Sequence, residues 1–351
     1  MQIEFLIIGQ GLSGTWLSYY FQKENKSFLV IDHNQPNSAS RVAAGIVNPV
    51  TGRRIVITWM IDELLHHLRT AYHELGEELG IKAISQKNII DFHPTPQMKI
   101  AFDDRLNEND SHLSKPADQN KFNQFFNYEF GYGEVDPCFL VNLQEILPAW
   151  RKKLLSTHQL LNEVFEAKEL KITNEAIYYK NIVAQKIIFC DGALSAINPL
   201  FKNLPFSLNK GEALIIESGF LPVTNIFKKG MMLTPLDNNL FWIGSNYIWD
   251  FSDVNPTAQF KEQTELLLKN WLKVPFKIID HIAAIRPANI ERRPFVGLHP
   301  IYKNIGILNG MGTKGCSLAP FFANQLTDHL IYKKEILPEA DIKRFSKILV
   351  R

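Results

Sequence analysis

Near its start the chain reads Ile3-Glu4-Phe5-Leu6-Ile7-Ile8-Gly9-Gln10-Gly11-Leu12-Ser13-Gly14, and the reading of this stretch decides the fold. Residues 3–8 are an apolar run of strand length, ended by Gly9. Over residues 13–24, Trp16, Leu17, Tyr20 and Phe21 recur at mixed three- and four-residue steps, which predicts a helix. A second apolar run, Phe28-Leu29-Val30-Ile31, ends on Asp32. Strand, glycine turn, helix and strand make a β-α-β unit, the opening of a doubly wound parallel sheet. In that setting residues 9–14 form a full G-x-G-x-x-G. Gly9 permits the tight turn, Gly11 lets backbone approach a pyrophosphate, and Gly14 lets helix and strand pack closely. Free N–H groups at the helix start attract the phosphates. Asp32, about 20 residues on, suits a ribose hydroxyl and disfavours a 2′-phosphate. The motif implies a dinucleotide and does not choose between NAD and FAD.

A length of 351 residues suggests about two domains. Lysine and arginine total 38 against 36 acids, so nothing in the charge balance points to a nucleic-acid backbone as the main partner. Cys138, Cys190 and Cys316 lie far apart, without C-x-x-C spacing or an even-numbered disulfide framework. The first residues lack a basic region and a cleavage site, and no apolar run is long enough to span a bilayer. These features lead us to expect a cytoplasmic protein with no membrane partner.

Residues 60–80 predict a long amphipathic helix, followed by a strand near 87–92. The polar stretch 103–124 reads as an exposed loop. Segments 170–173 and 176–180 suggest a hairpin, and a strongly apolar strand over 186–190 runs into Asp191-Gly192-Ala193. Strands near 213–217, 231–234 and 240–243, with turn residues between them, look antiparallel. A helix over 257–272, a strand over 304–308 and a helix from 317 to 331 close the chain. Nucleotide-type pattern at both ends, with β-rich material between, implies discontinuous domains.

Two further stretches bear on the ligand. Ser38-Ala39-Ser40-Arg41-Val42-Ala43-Ala44-Gly45 is a run of small residues that lets backbone pass close to a ring or phosphate. Asn309-Gly310-Met311-Gly312-Thr313-Lys314-Gly315-Cys316 is a second glycine-rich turn before a helix, as an extended dinucleotide requires. Arg286-Pro287 and Arg293-Pro294 precede it. On these residues the chain resembles the D-amino acid oxidase family of FAD-dependent oxidoreductases, which includes glycine oxidase and sarcosine oxidase. The resemblance covers about 60 N-terminal and 50 C-terminal residues, with weaker support at Glu163-Val164 and at 188–193. It implies an α/β fold: a Rossmann-like FAD-binding domain (1–85, 141–205 and 281–351) and a smaller α+β substrate domain. That second domain (86–140 and 206–280) would roof the flavin with a mixed or antiparallel sheet. FAD would rest on Gly9, Gly11, Leu12, Ser13, Gly14, Asp32 and His33, and on Ser40, Arg41, Ala44 and Gly45. Val164, Cys190, Asp191 and Gly192 would meet the adenosine, and Gly310, Gly312, Thr313, Lys314 and Gly315 the far end.

The resemblance further implies oxidation of a C–N bond in an amine or amino acid, with hydride passing to flavin N5 and electrons to oxygen or another acceptor. Arg286 matches the residue that clamps a substrate carboxylate; the alternative is an arginine paired with a surface acid. Met232 stands where glycine oxidase has a tyrosine, which argues against simple glycine as substrate. Tyr247 either substitutes for that tyrosine or is packed, and Lys314 either serves the reduced flavin and oxygen or forms a salt bridge. Arg53 and Arg54 read as a solvated pair, and His66, His67 and His73 as a solvated face without metal-ligand spacing. Ala284 and Ile285 occupy the place of the cysteine that links flavin in sarcosine oxidases, so FAD is expected to be non-covalent. The 310–320 turn also resembles the oxidase domain that finishes a methylaminomethyl group on tRNA wobble uridine. That leaves a tRNA-borne amine, a dehydrogenase with another acceptor, and a flavin-binding protein without turnover as alternatives.

Overall fold

The computed structural model describes residues 1–52, 55–108 and 111–350. Gln2–Ile8 lies in the middle of an eight-stranded sheet, parallel to Phe28–Ile31 on one side and to Ile182–Phe189 on the other. Every residue of Phe28–Ile31 is buried, as a parallel strand covered on both faces requires. Ile8 is in register with Ile31 and with Phe189, and Phe189 with Ile307. The loops after these strands, at Gly9, Asp32, Cys190 and Gly310, therefore leave from one edge. Such an edge, at the carboxyl ends of parallel strands, is where open α/β sheets bind ligands. Leu12–Lys23 packs Trp16, Leu17 and Phe21 into the core between the sheet and the helices Ile61–Leu79 and Gly315–Tyr332. The expected hairpin forms as Leu170–Ile172 paired with Ile177–Tyr179.

The second eight-stranded sheet is antiparallel except where Ile226–Lys229 runs parallel to Ile89–Phe92. Its hairpin Met231–Pro235 to Leu240–Gly244 turns at Asn238 and Asn239, both with φ near +60° (58° and 59°). Asparagine tolerates that conformation, and such turns match strand twist. Phe92, Phe126, Phe227 and Trp271 fill the core of this layer.

Three expectations need correction. Residues 103–107 belong to the helix Pro96–Asn107, not to a loop. Thr95 Oγ1 accepts from Met98 N at 3.3 Å, Pro96 opens the first turn, and Phe102 anchors the helix in the space that Gly133 leaves. Asn109 and Asp110 lie outside the described residues. The boundary at 280/281 falls inside Lys277–Arg286, which pairs along its length with Asn209–Glu217. Arg286 thus ends a roof strand. His67 is half-buried: its Nε2 meets the Tyr20 hydroxyl at 3.0 Å, and its ring meets Phe321 edge-on. His66 and His73 are exposed as expected.

Candidate active site

A cavity of about 1570 Å³ lies between the carboxyl edge of the parallel sheet and the cavity face of the second sheet. That exceeds the roughly 300–1,000 Å³ of an ordinary ligand pocket. Gly9, with φ +98°, sits so close to Cys190 that a Cβ would lie 2.6 Å from its carbonyl oxygen. A Cβ on Gly14 would fall 1.8 Å from Gly9 O, so this glycine serves helix–strand packing and does not line the cavity. Gly11 does line it, and a Cβ there would approach Ser40 Oγ to 2.9 Å. Leu12 N donates to that same Ser40 Oγ at 3.0 Å. The helix start and the small-residue run through Ala44 and Gly45 thus face one another across the cavity wall.

Asp32 is held more firmly than its motif suggests. Its Oδ2 accepts from Gln10 N at 2.9 Å, and its Oδ1 accepts from Asn34 N at 2.8 Å and from Arg151 Nη1 at 2.6 Å. A carboxylate offers about four lone-pair sites, which leaves Oδ2 one for a ribose hydroxyl. Arg151 also donates to Asp32 O and to Asn162 Oδ1, and comes from the helix Leu143–Ser156. Sequence reading missed both this helix and Arg151. Arg41 Nη2 stands 3.8 Å from Asp32 and, like the exposed His33 and Val164, lines the cavity.

At the second glycine turn, Asn309 Nδ2 donates to Gly192 O at 2.8 Å and Ser195 Oγ at 2.9 Å, while its Oδ1 accepts from Gly310 N. Ser195 also donates to Asp191, whose carboxyl is pushed up to about 6 by burial. Gly310 is behind the wall, against Phe295 and Asn289, but Gly312, Thr313, Lys314 and Gly315 line the cavity. Lys314 Nζ donates to Thr58 Oγ1 at 3.3 Å and forms no salt bridge among the described residues. Burial, with Arg292 and Arg293 nearby, pulls its pKa down.

Arg286, Tyr247 and Met232 all line the cavity from the roof, Arg286 and Tyr247 in contact with each other and Met232 packed against the cluster of Val50, Ile89 and Ile226. Arg286 Nη1 donates to Asn209 Oδ1 at 2.7 Å and Asn246 O at 3.1 Å, and Nη2 to Ser245 Oγ at 2.6 Å. All three acceptors are neutral, so among the described residues no acid cancels the charge, and the surface ion pair is ruled out. Burial lowers the guanidinium pKa. Its Cζ sits 4.8 Å from the centre of the half-exposed Tyr247 ring. Gly211 makes the arrangement possible: a Cβ there would lie 1.7 Å from Arg286 Nη2. Trp242 ties the roof down, donating from Nε1 to Val42 O at 3.0 Å. Asn209, Gly211, Ser245 and Trp242 were not singled out from the sequence. Only strand pairing brings them to Arg286 and the small-residue run.

Residues 4–329 match the family described as FAD dependent oxidoreductase. The chain belongs to this family. Glycine oxidase of Bacillus subtilis (strain 168) is 24% identical over 354 residues, covering 95% of this chain and 94% of that protein. The crystal structure of glycine oxidase from Geobacillus kaustophilus superposes with TM-score 0.81 at 17% identity, over 98% of each chain. L-proline dehydrogenase from P. horikoshii superposes with TM-score 0.77 at 16% identity, over 99% of this chain and 98% of that one.

The oxidoreductase has a cavity whose residues fit FAD. Gly9, Gly11 and Gly312 bring bare backbone to the cavity wall, and two helix starts, at Leu12 and Gly315, flank it. Ala284 and Ile285 line the cavity ahead of Arg286 and carry no sulfur. Cys316 is a buried thiol pushed up to about 12, poorly suited to attack a flavin. FAD is accordingly held without a covalent bond. Arg53 and Arg54 lie outside the described residues. Among the described residues no group of His, Cys, Asp and Glu is arranged to hold a metal, and no helix is long and apolar enough to cross a membrane.

Proposed function

We propose that this oxidoreductase oxidises the carbon–nitrogen bond of a small amine or amino acid that carries a carboxylate. The observation that carries the reading is Arg286, a half-buried cation with neutral partners that lines the cavity beside the gap at Gly211. A guanidinium so placed grips a carboxylate in two-point fashion. When bound, FAD supplies the two-electron sink, accepting at N5 the hydride from the carbon next to nitrogen. Arg286 and the Tyr247 ring fix the acid end of the substrate, and Met232 offers thioether surface to an apolar part. The roof excludes water while the reacting carbon is held. Lys314, without an acid partner, places positive charge at the far wall, where oxygen or another acceptor takes the electrons.

Purified protein is expected to show the bands of oxidised flavin near about 375 and 450 nm. One member of an anaerobic panel of D-, L- and N-methyl amino acids should bleach them. Colour that remains with the polypeptide after acid denaturation and filtration would contradict non-covalent binding. Bands that no panel member bleaches would shift the reading to a larger or tRNA-borne amine. Reduced protein that stays bleached in air would name an acceptor other than oxygen.

A further inference from the structure

On the roof strand Asn209–Glu217, four adjacent residues divide their work between two faces. Asn209 opposes Arg286, and Gly211 opposes Ala284. Strand alternation puts 209 and 211 toward the cavity and the side chains of Lys210 and Glu212 on the reverse face. Both of these charged side chains are buried, Glu212 completely.

Both make most of their hydrogen bonds to one segment, residues 245–257. Glu212 Oε2 accepts from Thr257 N at 2.6 Å, and Oε1 from the Thr257 hydroxyl at 3.0 Å. Glu212 N donates to Asn246 Oδ1 at 2.7 Å, and Asn246 Nδ2 reaches Glu212 Oε1 at 3.5 Å. Lys210 exchanges backbone hydrogen bonds with Ile248 at 2.8 and 2.9 Å, and its Nζ donates to Asn255 O at 2.9 Å. Lys210 Nζ lies 4.0 Å from Glu212 Oε1, and His281 Nε2 lies 3.1 Å from Oε2. The segment is thus fastened near both ends to residues 210 and 212. Between the fastenings it presents Tyr247 and Trp249, stacked at 5.9 Å and largely exposed. The same segment supplies Ser245 Oγ and Asn246 O to Arg286.

We infer that Glu212, with Lys210, is the positioning anchor of the carboxylate clamp, holding residues 245–257 where they orient Arg286. The inference rests on the proposed role of Arg286 as that clamp. Glu212 acts through Asn246 and Thr257, so its loss loosens the wall around Arg286 while the FAD contacts on the other sheet stay in place.

The test uses the FAD-loaded protein and three variants, Glu212→Ala, Glu212→Gln and Thr257→Val. Two quantities are read: acetate affinity, from perturbation of the flavin spectrum, and hydrogen exchange along the chain. Glu212→Ala is expected to speed exchange within 245–257 and to weaken acetate roughly tenfold at full FAD content. Glu212→Gln, which keeps an acceptor, should recover most of that loss, and Thr257→Val should fall between. If Glu212→Ala does not fold, the other two variants carry the same comparison. Faster exchange spread evenly over the roof sheet would overturn the inference, as would unchanged acetate affinity beside a loosened segment. If the unaltered protein ignores acetate, the Arg286 reading fails. Exchange then decides alone: an increase confined to 245–257 upholds the anchor, and no increase overturns it.

Discussion

Arg286 concentrates the chemistry of the site in one side chain. Arg286→Met keeps bulk and removes the donors, so kcat/KM for a carboxylate substrate should fall about 10- to 100-fold with FAD affinity unchanged. Steady-state kinetics beside a flavin titration check both halves. Asp191 offers a prediction in pH. Burial raises its carboxyl from 3.8 to about 6, so the folded apoprotein holds the proton more tightly than the unfolded chain does. The stability this brings is complete below pH 3.8 and is lost as pH rises through about 6. The ionised group then costs about 3 kcal/mol. Asp191→Asn should therefore flatten the apoprotein's stability between these limits, as urea midpoints across that range would show. Arg286 was legible as a residue because an arginine before proline in the C-terminal region matched a family position. Its neutral surroundings were not, since Asn209 and Ser245 are distant in sequence and reach it only through strand pairing.

The helix Leu12–Lys23 shows how one element serves fold and ligand through different glycines. Gly14→Ala drives a Cβ into Gly9 O, which is backbone and cannot step aside, so the variant should lose about 1–3 kcal/mol of stability. Gly11→Ala meets only the Ser40 side chain, whose Oγ can rotate away for the loss of one hydrogen bond from Leu12 N, about 1 kcal/mol. Its apoprotein should unfold near the unaltered midpoint while binding FAD at least about tenfold more weakly, because the methyl group occupies the phosphate approach. Urea midpoints and flavin titration of the two variants should separate these outcomes. Elements with strong local signals were readable: this helix, Phe28–Ile31, and the hairpin with its asparagine turn. Lys277–Arg286 was not, because Asp280 and His281 interrupt its apolar pattern and its strand form comes from pairing with Asn209–Glu217. Leu143–Ser156 was not, because Pro148 inside it reads locally as a breaker.

At the scale of the molecule the cavity wall draws on both sheets, so cofactor and fold are coupled. FAD at a hundredfold its dissociation constant should add about 2.7 kcal/mol. Thermal unfolding followed by circular dichroism should then move up by several degrees, as one transition. Unfolding of the roof at its old temperature, ahead of the first sheet, would show that the layers are not joined through the ligand and the Trp242–Val42 bond. Sequence by itself determined the β-α-β opening, the glycine turns and Asp32, because each is a local pattern with its own physical reason, and the family followed from resemblance at those same residues. Tertiary structure alone decided which charges are neutralised, Asp32 by Arg151 and Arg286 by no acid among the described residues. It also decided where the roof strand ends and which glycine admits the guanidinium. These are properties of residues far apart in the chain, and charge balance and close packing exist only after the sheets have formed.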